Sequence, residues 1–259
     1  IGTKGIPARS LTVLSDRLYF QSVFKNSARE VFTANGLNRK PMPTVNRVFR
    51  GDHLGNFVAD PDSGQLFFFS VHDSGLHLNT ISHPFDAVPN SGNIQSIHNK
   101  HFNHNKYNKH NNDIFDKTPE MQSDRVQDAP ADIWEHQSPV LVNGKLLAVF
   151  RGNSRMGCID IRHKRLERWL FDNVKQFSAA NLNQMVIIDA TGVYFPVTNH
   201  RDRFVPGENT MCPPIILDNK AAVMGMQDGK LRFYHLHNPS IQSEFRVFDS
   251  AGDPVTAVA

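Results

Sequence analysis

The sequence predicts an all-β chain assembled from repeated small sheets, and three observations carry that expectation. Short runs of β-branched and aromatic residues recur from end to end, separated by Ser-Asp, Asn-Gly, Asp-Gly and Thr-Gly turns. Helical periodicity is nearly absent. Two stretches, Ser138-Pro-Val-Leu-Val-Asn-Gly-Lys-Leu-Leu-Ala and Pro213-Pro-Ile-Ile-Leu-Asp-Asn-Lys-Ala-Ala-Val, are variants of one pattern. Pro139 and Pro214 stand 75 positions apart with another strand-turn-strand unit between them. The implied period of about 37 residues fits radial or linear repetition of sheets of three or four strands.

Five units overlay. The first, Leu11 to Gly36, turns at Ser15-Asp16 between two apolar runs. The second, Val45 to Val71, places Val45 to Phe49 before a Gly51 to Gly55 turn and ends on Gln65-Leu-Phe-Phe-Phe. The third spans Ser138 to Phe171. The fourth, about Phe177 to His200, holds Met185-Val-Ile-Ile, the Asp189 to Gly192 turn and Val193-Tyr-Phe-Pro-Val. The fifth spans Pro213 to Phe248. The tail Asp253 to Ala259 suits an outer strand that closes on the first unit. The best helical segment is Pro130 to His136, short and without a sustained apolar stripe.

Residues 74–132 interrupt the series as an irregular insertion or a degenerate unit. Their middle is an Asn/His/Lys tract from Ser96 to Asn112, too polar to bury a core of its own and read as an extruded loop. At 259 residues the chain is expected to form one domain, 1–259. It begins with Ile1, so a leader removed or a piece of a longer chain are both open. No run of eighteen apolar residues occurs, the length a membrane-crossing helix needs. Lys and Arg are scattered among acids at a net charge of +3, too sparse for a nucleic-acid footprint. Cys158 and Cys212 permit one bridge or two free thiols.

The third and fifth units resemble the repeat of quinoprotein-type (PQQ-like) β-propellers. In that family an Asp-x-x-Thr-Gly-Lys-x-x-Trp turn closes the blade and docks its aromatic against the neighbour. Asp60-Pro-Asp-Ser63-Gly64-Gln65-Leu-Phe-Phe68 is similar, with Ser for Thr, Gln for Lys and Phe68 for Trp. Asp160 and Trp169 resemble the same turn, although His163 and Lys164 replace Thr-Gly and the Trp falls one residue late. Gln227-Asp-Gly-Lys-Leu-Arg-Phe-Tyr234 is similar to the strand start of these blades. The resemblance implies a β-propeller of about five to six four-stranded blades with one long Asn/His-rich loop. A six-bladed ring with one irregular blade is the expected form.

Candidate chemistry is thin. His98, His101, His104 and His110 offer imidazoles to a metal but lack carboxylates that would orient them, so no metal is expected. Asp60, Asp62 and Ser63 offer oxygens to Ca²⁺ without the downstream bidentate Glu, which favours turn capping. Asp16, Asp132 and Glu135, with Trp134 as a sugar platform, are the residues a glycosidase would recruit. Arg47, Arg50, His53, His200, Arg201 and Arg203 would form a basic docking face if they shared one rim. No cofactor and no catalytic residue is assigned. The expectation is a non-catalytic interaction scaffold with protein partners, extracytoplasmic and within an envelope, surface or pilus assembly. The alternative is a carbohydrate-active or quinoprotein-like enzyme with its site in the central channel.

Overall fold

The structure, a computed structural model, describes residues 8–14, 17–23, 29–34, 45–51, 53–82, 120–133, 137–204, 209–210 and 212–246. The described residues contain no helix; they form five four-stranded sheets in which each strand pairs with the next in sequence. Packing divides the chain into two compact units, 1–125 and 126–259.

In the first unit, sheet one holds β1 (Ala8–Leu14), β2 (Arg17–Val23), β3 (Arg29–Ala34) and β4 (Val45–Gly51). Sheet two holds β5 (Val58–Asp60), β6 (Gln65–His72), β7 (Gly75–Ser82) and β8 (Glu120–Arg125). Their seam buries Leu14, Tyr19, Val31, Phe57, Leu66, Phe68 and Ile81. Phe49 and Phe57 meet Phe68 edge-on at centroid distances of 5.4 and 5.6 Å, the geometry that aromatic quadrupoles favour. Polar links lace the same seam. Gln21 Nε2 donates to the Gly55 carbonyl at 2.7 Å, and the Phe57 amide donates to Ser10 Oγ at 3.0 Å.

Two sequence boundaries move. Val45 to Phe49, expected in the second unit, is the outer strand of sheet one and pairs with β3 from Ala34↔Val45 to Arg29↔Gly51. Gly51 to Gly55 is therefore a passage between sheets, and the Gly55 amide bonds to the Phe69 carbonyl. Strand pairing is set by cross-strand register, and an apolar run carries no label for the sheet it joins. At the ends of 74–132 stand β7 and β8, paired from His77↔Arg125 to Ser82↔Glu120 as the third and fourth strands of sheet two. The Asn/His tract lies outside the described residues, as does the tail from Asp253.

In the second unit, sheet three holds β9 (Val140–Val142), β10 (Lys145–Phe150), β11 (Arg155–Asp160) and β12 (Arg165–Phe171). Sheet four holds β13 (Gln176–Asn181), β14 (Gln184–Ile188), β15 (Gly192–Phe195) and β16 (His200–Arg203). Sheet five holds β17 (Ile215–Leu217), β18 (Ala221–Gly225), β19 (Lys230–His235) and β20 (Asn238–Arg246). First strands sit side by side, β13 against β9 and against β17.

The two-residue strand period makes this stacking possible. Along β14, Met185 and Ile187 enter the seam with sheet three, and Val186 and Ile188 enter the seam with sheet five. A central sheet thus reads as an unbroken apolar run, Met185-Val-Ile-Ile, because both of its faces are buried. The helical expectation for Pro130 to His136 fails where it is testable: residues 130–133 are not helical, and 134–136 lie outside the described residues. Pro130 presets φ for a first turn, yet no apolar stripe follows to hold a helix against the sheets.

Candidate functional site

The two turns singled out in the sequence share a local build. Asp60 Oδ1 accepts the Asp62 amide at 3.2 Å and Oδ2 accepts Ser63 Oγ–H at 2.6 Å. Asp160 Oδ1 accepts the His163 amide at 2.9 Å, and Oδ2 lies 3.1 Å from His163 Nδ1. Four residues after each Asp the backbone is left-handed, at Gly64 (φ 65°) and at Lys164 (φ 52°). Lys164 therefore adopts the conformation for which the motif normally uses glycine. The turns occupy different hairpins, however. Asp60 joins the first and second strands of its sheet and Asp160 joins the third and fourth, so only the latter closes a sheet.

The aromatics that follow also differ from the expected docking. Phe68 is fully buried and meets Phe49 of the neighbouring sheet. Trp169 stays on its own sheet, edge-on to Phe150 at 5.1 Å, with the Arg155 guanidinium 4.4 Å above its ring. A one-residue offset turns a side chain to the other face of a strand, which is why the late Trp does not dock.

Beside the Asp160 turn lies a shallow cavity of about 600 Å³ lined by Gln127, Asp160, His163, Arg165 and Glu167. Gln127 arrives by pairing in parallel along the outer side of β12: its amide donates to the Lys164 carbonyl at 2.8 Å and its carbonyl accepts the Leu166 amide at 3.0 Å. Glu167 is paired across the sheet with Lys145 Nζ at 2.5 Å, and Arg165 Nε donates to Asp128 at 2.8 Å.

Hydrogen bonds from the His163 amide and ring hold the Asp160 carboxyl at about 2, well below the usual carboxylate range. The bond to Glu167 raises Lys145. Burial, then the Glu167 charge 3.9 Å away, pushes the Cys158 thiol up. Asp160 is thus held as an anion, which has no proton to donate, and Cys158 as S–H rather than the nucleophilic thiolate at neutral pH. What the cavity presents is a set of fixed donors and acceptors around a polar depression.

The remaining sequence candidates are dispersed. Asp132 Oδ2 accepts the Gly152 amide at 2.6 Å; Asp16, Trp134, Glu135, His98, His101, His104 and His110 lie outside the described residues. Arg47 and Arg50 in β4 both reach Glu30, at 3.1 and 3.8 Å. His53 follows β4 with a positive φ. His200, Arg201 and Arg203 belong to β16, where Arg201 pairs with Asp189 and lies 4.8 Å above the Tyr194 ring. Cys158 and Cys212 are both free thiols, which resolves the alternative left open by their count. Among the described residues no group of three or more His, Cys, Asp or Glu is placed to hold a metal.

Sequence reasoning missed the cavity's Gln127 and Glu167, and the Lys145 that pairs with Glu167. Lys145 and Glu167 are 22 positions apart and meet only through the registers Lys145↔Asp160 and Cys158↔Arg168, which no local motif announces.

No family model matches the chain, and no curated protein matches it. Among solved structures, the WD40 β-propeller domain of Doa1 is similar at a TM-score of 0.53 and 10% identity, over 95% of this chain and 70% of that one. The dihydro-haem d1 dehydrogenase NirN in complex with DHE aligns at 0.48 and 14% identity, over 94% and 48%. Sqt1 of Chaetomium thermophilum aligns at 0.35 and 10%, over 94% and 73%. The first of these, together with the five four-stranded meanders, defines the fold as a β-propeller.

Proposed function

We propose that this chain is a non-catalytic β-propeller that holds protein partners within a larger assembly. The observation that carries the reading is the use made of its carboxylates. Asp60, Asp132, Asp160, Asp189 and Asp228 each accept a backbone amide of a nearby turn. Glu30, Glu167 and Glu244 are each paired with Arg or Lys. Acids used in this way stabilise hairpins, whereas a glycosidase needs two that face a common substrate bond. The likeness to a WD40 domain favours the same reading by fold-level analogy.

Two finer readings go with it. The blades are of the quinoprotein type, supported by the Asp160 turn and its left-handed Lys164. The assembly is an extracytoplasmic one of the envelope, surface or pilus kind, as that repeat family suggests. Co-purification from native material under mild conditions tests the function. A protein partner retained in near-stoichiometric amount supports it. Turnover of a glycoside or of an alcohol with a quinone acceptor by the isolated chain, with no partner retained, would sink it.

A further inference from the structure

Many cations of this chain are answered by acids: Arg47 and Arg50 reach Glu30, Lys145 reaches Glu167, and Arg201 reaches Asp189. Arg125, which ends β8, is exposed, and its side chain makes neither a hydrogen bond nor an ion pair with the described residues. Its guanidinium lies over the turn between β6 and β7, where a Cβ on Gly75 would stand 3.4 Å from Nε and 3.8 Å from Nη2. Register sets Arg125 opposite His77, and His77 opposite Ser70. Opposed residues share a face, and so do residues two apart along a strand, so His72 and Ser123 stand on that face as well.

Hydrogen-bond donors gather there. The rings of His72 and His77 are 4.8 Å apart, edge to face. Asn79 Nδ2 donates to Ser70 Oγ at 2.8 Å, which leaves the Ser70 hydroxyl to donate to His72 Nε2 at 3.0 Å. Neutral His72 therefore carries its proton on Nδ1, and no described residue accepts it. Ser74 Oγ lies 2.8 Å from His77 Nε2, and Ser123 Oγ lies 3.5 Å from His77 Nδ1. Acids are placed elsewhere. Asp73 in the turn makes no ion pair with these groups, and Asp124, opposite Leu78, belongs to the other face of β8. From β4 the neighbour is the apolar Phe49, because Arg47 and Arg50 turn to Glu30. His77 is held below the usual histidine value by burial first, then by His72 and Arg125, with Asp124 a partial counterweight. A guanidinium fork alone satisfies a planar carboxylate, whereas a fork, two imidazoles and two hydroxyls on separate strands suit a tetrahedral dianion.

We propose that His72, His77 and Arg125, with Ser74 and Ser123, form a binding site for a tetrahedral oxyanion, the group carried by phosphate and sulfate esters. Protonated imidazoles add charge and donors, so binding tightens as pH falls through the histidine range. The site goes beyond the scaffold reading, and neither outcome of the co-purification bears on it. Equilibrium dialysis of the purified chain against labelled sulfate tests it, in chloride at about 0.15 M to screen long-range attraction. Sulfate keeps its charge across the range, so any pH response belongs to the protein. One sulfate per chain is expected, bound about tenfold more tightly at about pH 6 than at about pH 8. Arg125→Gln is expected to weaken it about tenfold at both, and Arg125→Lys, which keeps the charge without the fork, to recover only part of that loss. His72→Gln/His77→Gln is expected to abolish the pH response. Phosphate run beside sulfate distinguishes the two esters by which binds more tightly. An unmodified chain that binds no better than Arg125→Gln, or a pH response that survives the double histidine substitution, overturns the proposal. Circular dichroism melts at about pH 8, expected to match the unmodified chain because the imidazoles are neutral there and Arg125 is exposed, establish that the variants fold.

Discussion

The Asp60 and Asp160 turns are built alike and set in different surroundings. Each folds around a carboxylate that gathers turn amides and a left-handed residue four positions on. The first leads into a strand that buries Phe68 between two sheets; the second leads into an outer strand whose Trp169 remains half exposed beside the polar cavity. A turn motif therefore specifies a hairpin without specifying which hairpin, and its consequence depends on what the following strand faces.

The largest contrast lies in the aromatics. Phe68→Ala removes a fully buried ring with two edge-on neighbours and is expected to destabilise by about 3–5 kcal/mol. Trp169→Ala, on a solvent-facing sheet surface, is expected to cost about half as much. Urea titration of the two variants reads the difference, and equal losses would mean that Trp169 is as deeply packed as Phe68. The backbones come next. Gly64→Ala imposes a Cβ on a left-handed backbone at φ 65° and is expected to cost about 1 kcal/mol. Lys164→Gly relieves a similar strain but frees the unfolded chain, for a net gain of about 0.5 kcal/mol. Opposite signs at the two positions would establish that they are one geometry.

The smallest effects concern acid. His77, between β6 and β8, is lowered by burial, then by His72, whose ring lies 4.8 Å away, and by Arg125, against a partial counter-effect of Asp124; Ser74 and Ser123 complete its surroundings. A histidine lowered on folding gives stability that is whole above 6.5 and is lost as pH falls below it. Asp160 is lowered from 3.8 to about 2, so its contribution is whole above 3.8 and is lost as pH falls toward about 2. Hydrogen exchange followed by mass spectrometry should therefore find β7 and β8 loosening in the histidine range while β11 and β12 hold until the carboxylate range. His77→Gln is expected to remove the first response and Asp160→Asn the second.

Much of this architecture was legible in the sequence, and the parts that were not share one cause. Met185-Val-Ile-Ile announced a strand buried on both faces, and Asn143-Gly144 and Asp228-Gly229 marked their hairpins, because these signals are local. Strand β4 was assigned to the wrong sheet, and the Lys145–Glu167 pair and the arrival of Gln127 beside β12 went unseen, because each depends on pairing between distant segments. The Asp160 turn was recognised from Asp and Trp alone; that Lys164 would take the place of glycine shows only in its backbone.

The cation above Trp169 has a practical consequence. Both tryptophans, Trp134 and Trp169, belong to residues 126–259, and the first unit has none. Indole emission is thus a private signal of the second unit, and the guanidinium 4.4 Å from one ring makes its wavelength sensitive to the loss of that contact. A melt followed by emission and by total ellipticity would separate the two halves of the chain spectroscopically without cutting it.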